Sequence, residues 1–483
     1  MLHTPARRAR AGVLAVIACV ALPARAQSTD ALTDVVQRQA AMLERLDARV
    51  RELEKQIEEL RAPLSAGTIA APIAAPGAST ASATAAPTPQ SVSSSVVATA
   101  IPATPPSGTF RFRGGPEWTA ADGIASVKLR GRLQSEFWGV SGSDSVDYPS
   151  GSLIRAVRLG LEGRINPVLS YVAEIDFGVG QTVINDAYLQ YKGKGPFFVR
   201  AGNIKPDFSL ENMTGVHQTT FMERALPNTF AISDETLAVA IGTSGRNWSF
   251  GATVFGDTPG IELDGDEGRG FSSRVTYAPI LSGDRLLHIG ASAYRRHLGA
   301  DAGLGFRIRQ RPESRVFLTR LVDTGRIDAD DFTVIGAEFA TVRGPWSLQA
   351  EHLVAKADLR NRSSREFSGS YVFGSWFATG ESRTYSASNG KFARLKPKRA
   401  FGEGGPGALE FALRYSTLDL VDGPVLGGTE DNFTLGVNWY LTEYSKLMFN
   451  WVHFDISESG AATPLGYKEH EGDALGLRVQ VDW

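Results

Sequence analysis

Lys128, Arg130 and Arg132 stand two residues apart, Arg155, Arg158 and Arg164 form a second group, and Arg200 adds a third. A guanidinium is planar, always charged and built to fit carboxylate or phosphate oxygens, and every second residue of a strand lies on one face. The chemistry this suggests is anion coordination along a wall, not bond making. Glu136, Glu162, Glu174, Asp176 and Asp186 lie in the same stretches, so the wall carries both signs. The chain is nearly neutral, at −2, yet holds 39 arginines against 11 lysines. Arginine dominance suits fixed recognition of anions, and the charge balance gives no sign of a nucleic-acid partner.

A second group sits at 203–235. Phe208, Leu210, Met213, Phe221, Met222 and Phe230 are too apolar for a solvated loop. Such a segment is expected to fold inward onto the wall, narrowing the lumen and leaving Lys205, Glu223 and Arg224 as constriction candidates. Packing of part of it on a neighbouring subunit is the alternative. Catalytic signals are weak. His217, His288, His297, His352, His453 and His470 show no metal-ligand spacing, and no Ser-His pair stands out. Asp264, Asp266 and Glu267 give only an incomplete calcium-loop pattern. No enzyme, metal or cofactor is expected.

The elements that position these residues are strands. At the C-terminus Leu475, Leu477, Val479, Val481 and Trp483 alternate with Gly476, Arg478, Gln480 and Asp482. An alternating strand ending on an aromatic suits the closing strand of an outer-membrane barrel better than the last strand of a sandwich. Sixteen such segments run from 127–138 to 473–483, predicting an all-β, transmembrane antiparallel β-barrel over 109–483. Short turns alternate with long loops, except that 379–407 is long where a short turn is due. Either a strand is misplaced there or the barrel carries a periplasmic excursion. Residues 314–321 compete with 332–342 for the tenth strand, and 14 or 18 strands are the alternatives. Alternation points Val127, Leu129, Leu133 and Phe137 to lipid and Lys128, Arg130, Arg132, Gln134 and Glu136 to the lumen. It likewise sends Val157, Leu159, Leu161 and Ile165 outward and Arg158, Glu162 and Arg164 inward, with Arg200 also inward and Arg155 ambiguous.

Three segments precede the barrel. Residues 1–26 read as a signal peptide: Arg7, Arg8 and Arg10, an apolar run from Ala11 to Leu22, and a small-x-small site at Ala24 to Ala26. Cleavage there removes Cys19, the only cysteine, so no disulfide is expected. In 27–62, Leu32, Val36, Gln39, Leu43, Leu46, Val50, Leu53, Ile57 and Leu60 alternate at spacings of four and three, the seam of a coiled coil. A helix this short implies self-association. Its seam residues lean toward a dimer. Residues 63–108, rich in Ala, Pro, Ser and Thr, read as a disordered linker.

The barrel segment resembles the phosphate-selective porin O and P family. The resemblance rests on K-L-R-G-R-L-Q at 128–134, R-A-V-R-L-G-L-E-G at 155–163, E-I-D-F at 174–177 and D-A-Y-L-Q-Y at 186–191. It continues with K-P-D-F-S-L-E at 205–211, F-M-E-R-A-L-P at 221–227, G-P-W-S-L-Q-A-E at 344–351, T-G-E-S-R-T-Y at 379–385 and L-G-V-N-W-Y at 435–440. It implies a sixteen-stranded homotrimer with an inward third loop and an arginine-lined pore. Four positions depart from the family pattern. Ala156 replaces a second adjacent arginine, Asn212 a lysine, and Gly215 and Val216 two serines. Fewer donors at the narrowest point imply weaker phosphate specificity than the best family members.

The expected function is passive diffusion of small anions, with phosphate and polyphosphate among the candidates. The expected place is the bacterial outer membrane, with the coiled coil in the periplasm. Expected partners are outer-membrane lipid and lipopolysaccharide, the barrel assembly machinery and, through the coiled coil, the cell wall. A general, sugar or carboxylate diffusion porin is the nearest rival, and a barrel serving as an envelope tether is the other.

Overall fold

The computed structural model describes residues 107–142, 148–180, 182–231, 235–256, 268–298, 306–316, 319–460 and 469–483. The signal-peptide and coiled-coil expectations, nearly all of the linker, and the acidic loop at 264–267 lie outside them. Strand β1 (Gly108–Phe112) begins at the last residue assigned to the linker and pairs with β2 (Pro116–Ala120).

Among the described residues sixteen strands close one antiparallel barrel. They are β3 (Ser126–Gly142), β4 (Gly151–Asn166), β5 (Leu169–Asp176), β6 (Val183–Lys192), β7 (Phe197–Ile204), β8 (Thr236–Ser244), β9 (Trp248–Phe255), β10 (Arg269–Ser282) and β11 (Arg285–His297). After a loop hairpin, β12 (Arg309–Gln310) with β13 (Val322–Asp323), follow β14 (Ala329–Arg343), β15 (Trp346–Leu359) and β16 (Ser364–Phe377). A second hairpin, β17 (Tyr385–Ser386) with β18 (Lys391–Phe392), precedes β19 (Ala408–Asp422), β20 (Val425–Thr442), β21 (Ser445–Ser459) and β22 (His470–Asp482). The tenth barrel strand is therefore β14, and the described part of 314–321 is not strand.

Closure falls between β22 and β3, from Gly472 opposite Gly142 to Asp482 opposite Arg132. In a hydrocarbon surround each unpaired backbone group costs several kcal/mol, so the sheet has to close. The terminal Trp483 extends the seam, its N–H and carbonyl bonding Gly131 at 2.9 and 3.0 Å. Below that point β2 takes over as the neighbour of β3. Alternation holds around the wall: Leu133, Val157, Leu159, Val239, Ile335 and Leu435 are exposed on the outside. At the short-turn end Trp346, Trp376 and Phe411 stack across three strands at 5.6 and 6.0 Å, as expected of an interfacial aromatic girdle.

The long connection at 378–407 hides no missing strand. It folds up inside the barrel from the short-turn end. Arg274 on β10 donates to the Gly390 carbonyl at 2.6 Å, Tyr385 meets His288 at 2.7 Å, and Arg383 donates to Gln349 at 3.1 Å. Phe392 lies in an apolar cluster with Leu210, Ala278, Leu286, Ala340 and Val342. Leu210 belongs to the third outer loop, which enters from the other end. Its first turn, α1 (Leu210–Met213), is capped by Ser209. Glu351 on β15 accepts from Ser209 Oγ at 2.5 Å, from the Glu211 N–H at 2.6 Å and from Tyr371 at 2.8 Å. Ser209 sits at φ 63, a left-handed conformation that a serine adopts only when its surroundings hold it there.

Two tests follow from closure and anchoring. A side chain at Gly131 would bring its Cβ within 2.2 Å of the Trp483 indole. Gly131→Val is expected to cost about 1–3 kcal/mol and to lower the temperature at which the folded band converts on a heat-shift gel; an unchanged temperature contradicts the seam. Glu351→Ala leaves the buried donors of Ser209, the Glu211 N–H and Tyr371 without their acceptor, at about 1–3 kcal/mol each. The expected result is a folded barrel with larger, noisier single-channel currents; currents like those of wild type would mean the loop is held elsewhere.

Candidate pore and constriction site

The inner faces of β3 to β7 bring the basic residues together, but in pairs with acids. Lys128 and Arg130 contact Glu162 at 3.2 and 3.4 Å, and Arg130 also meets Glu174 at 2.9 Å. Arg158 bridges Glu174 at 3.2 Å and Asp176 at 2.8 Å. Arg200 holds Gln190 at 2.7 Å and lies over the Tyr188 ring at 4.5 Å. Arg164 stands apart: it is exposed near the short-turn end and donates to the Gly123 carbonyl at 3.3 Å.

Arg155 owes its direction to a β-bulge. Gln134 pairs with Ala156 and Ser135 with Ile154, which leaves Arg155 as the extra residue. A bulge re-aims a side chain that strict alternation would send outward. Arg155 turns in and reaches Glu223 of the third loop at 3.2 Å. Arg478 on β22 contacts the same carboxylate at 3.1 Å. Burial alone would push the Glu223 carboxyl up, but Arg155, Arg315 and Arg478 hold it down at about 2.

The other two loop residues differ in role. Arg224 donates to the carbonyls of Glu211, Asn212 and Thr214 at 3.1, 3.2 and 3.0 Å, so its donors are spent on shaping the loop. Lys205 is 3.9 Å from Glu235. Burial and the nearby Arg224 bring its ammonium down to about 8. Arg132, near the loop tip, contacts His217 Nδ1 at 2.6 Å and has no ion-pair partner among the described residues.

A denser basic group lies outside the residues singled out by strand alternation. The fifth outer loop carries Arg307, Arg309, Arg311, Arg315 and Arg320. With Arg155, Arg224 and Arg296 they line a cavity of about 560 Å³ that also meets Glu223 and Glu313. Arg307 is paired with Asp323 at 2.6 Å. Arg309, Arg311 and Arg320 have no ion-pair partner among the described residues. Burial, with Arg320 and Arg315 alongside, pulls the Arg311 guanidinium down to about 10, the mark of an uncompensated positive potential. The signal available in sequence was the density: 307, 309 and 311 repeat at two-residue spacing outside any expected strand. A larger cavity of about 1240 Å³ continues from Arg311 and Arg315 past Arg155, Arg132 and Arg130 to Lys391 and Arg394 of the periplasmic connection.

A family model described as phosphate-selective porin O and P matches residues 127–483. An uncharacterized protein of Caulobacter vibrioides is 31% identical over 404 residues, covering 80% of this chain and 79% of that protein. Porin O of Pseudomonas aeruginosa is 25% identical over 386 residues, covering 71% of this chain and 86% of its own. Among solved structures, an anion-selective porin from Comamonas acidovorans superposes with a TM-score of 0.48 at 14% identity, covering 74% of this chain and 99% of that one. With the family match running along the whole barrel wall, this chain belongs to the phosphate-selective porin O and P family.

Proposed function

We propose that this outer-membrane porin passes small anions by passive diffusion along an arginine-lined lumen narrowed by the third loop. The observation that carries the reading is the fifth-loop group, Arg309, Arg311 and Arg320, standing at the outer mouth with no acid in ion-pair contact among the described residues. Uncompensated charge at the mouth of a low-dielectric channel concentrates counter-ions and speeds their arrival. Deeper in, Lys128, Arg130, Arg155, Arg158 and Arg200 offer sites of moderate strength, since acids or an amide already share their donors. Moderate sites favour passage, because an anion that binds too tightly does not leave.

Phosphate passes under this reading without a dedicated high-affinity site. Asn212 supplies no charge, and Gly215 and Val216 supply no hydroxyls. The mixed charge of the lower wall favours a general diffusion porin as the second reading. The outer faces of β5 to β9 expose Ile175, Leu189, Val199, Val239 and Val254 on short strands, which suits a contact between copies in a homotrimer. The segment 27–62 would lie in the periplasm as a coiled coil with reach to the cell wall. The last strand offers the assembly machinery its recognition sequence, and the outer rim meets lipopolysaccharide.

Two measurements test the anion reading. Replacing Arg309, Arg311 and Arg320 together by alanine is expected to cut single-channel conductance several-fold at about 0.1 M salt and little at about 1 M, where charges are screened within about 3 Å. Equal loss at both would mean an altered passage instead of a lost field. Lys205 loses its charge above its pKa of about 8. Anion conductance is therefore expected to fall between about pH 7 and about pH 9, and Lys205→Met to abolish that step; a step that persists in the variant belongs to another group.

A further inference from the structure

The guanidinium of Arg132 is an anomaly in this lumen. It is 7% exposed, and its Nε–H has no hydrogen-bond partner among the described residues. The neighbouring basic groups Arg130, Arg155, Arg158 and Arg394 are engaged by carboxylates. Arg132 instead meets a ring nitrogen, with Nη2 2.6 Å from His217 Nδ1. A guanidinium only donates, so Nδ1 accepts, and the remaining ring proton of a neutral imidazole sits on Nε2. The nearest acids are otherwise occupied. Glu174 holds Arg130 and Arg158, and Asp482 holds Arg394 and accepts from Gln480 at 3.0 Å.

The loop tip is built around this imidazole. The His217 carbonyl accepts from Gln480 at 3.0 Å, and Gln480 in turn bonds Gln134 at 2.6 Å, so the tip is pinned to the β3–β22 seam. A Cβ on Gly215 would stand 2.7 Å from His217 Cε1 and 3.0 Å from Nδ1. Any larger residue at 215 displaces the ring. The missing hydroxyl at 215 is thus the condition for seating an imidazole against Arg132. Arg383, Glu443 and Asp482 line the cavity beside His217, and the cations that act on the ring are Arg132 and Arg130 from β3, Arg394 from the periplasmic connection and Lys446 from β21. Burial and these cations hold its pKa well below the usual histidine value, so the ring stays neutral.

We propose that His217 is the selectivity-setting residue of the constriction, where it orients Arg132 without neutralising it and so creates a subsite for small monovalent anions. This rests on the anion-channel reading above and deepens it. Beside the neutral ring one guanidinium lacks a carboxylate partner among the described residues, and the Lys446 ammonium is spent on the Thr219 carbonyl at 3.0 Å, so the subsite is matched by one negative charge. A dianion leaves a net charge in a poorly hydrated place, which is costly. A carboxylate at 217 would accept the same hydrogen bond and cancel the charge.

The test is bilayer reversal potentials of the full-length protein in gradients of potassium chloride and potassium sulfate, with His217→Asp and His217→Asn beside wild type. Wild type is expected to prefer chloride over potassium, and chloride over sulfate by about tenfold, with no change between about pH 7.5 and about pH 5.5. His217→Asp is expected to lose at least about fivefold in anion-to-cation ratio while His217→Asn, a neutral acceptor, keeps it. Heat-shift gels and open-channel currents verify that both variants fold. A merely structural histidine would make the two variants fail alike, which overturns the proposal. So does an anion-selective wild type with an unchanged His217→Asp, or equal passage of sulfate. A wild type without anion preference removes the underlying channel reading instead, so the two failures are distinguishable.

Discussion

One buried guanidinium holds the interior together. Arg414 projects from β19 into the lumen with 1% of its side chain exposed. It ion-pairs with Glu313 of the fifth loop, lies 3.6 Å from Glu211 of the third, and donates to the Glu223 carbonyl at 3.0 Å. The Phe221 ring sits against it at 4.3 Å. Glu313 extends the joint, accepting from Ser416 at 2.6 Å, Thr434 at 3.0 Å and the Leu226 N–H at 3.2 Å. Removing one partner of such a joint leaves uncompensated charge in the interior, at about 3–5 kcal/mol. The joint ties Glu211 and Glu223 of the third loop to Glu313 of the fifth. Glu313 is held at φ 32, so backbone strain is stored where the two loops meet.

The barrel imposes the rest. Lipid forces all backbone groups into the sheet, and alternation then sends every second residue into the lumen. Charges there lie in a partly dehydrated space, which selects for the pairs seen along β3 to β7. The outer mouth escapes that rule, and arginines accumulate on the fifth loop with less compensation. On the proposed reading, a field at the mouth, paired sites along the wall and one singular contact at the constriction make three different electrostatic regimes in one channel.

How much of this could be read in the sequence depends on locality. The sixteen wall strands were legible because each carries its own period-two pattern, down to Leu475 through Trp483. The bulge at Arg155 was not, since one inserted residue leaves the neighbouring pattern intact on both sides. The fate of 378–407 was posed by its length but not answered. Its anchors, Arg274, His288 and Gln349, lie on three other strands and only the closed barrel brings them near. The hairpin of β1 and β2 was missed because Gly, Pro and Arg dilute its short strands. The fifth-loop arginines were visible as composition but had no element to place them. His217 looked like one scattered histidine, and its meaning comes from β3 and β22 meeting at the seam.

On the proposed reading, the summed field of the mouth and constriction is positive in spite of the paired wall. The most direct measurement is the zero-current potential of purified wild-type protein in a planar bilayer across a potassium chloride gradient. The expected potential has the sign of chloride as the more permeant ion and is largest at low salt. A potential near zero, or one of the opposite sign, would show that Glu162, Glu174, Asp176 and Asp186 outweigh the arginines and would contradict it.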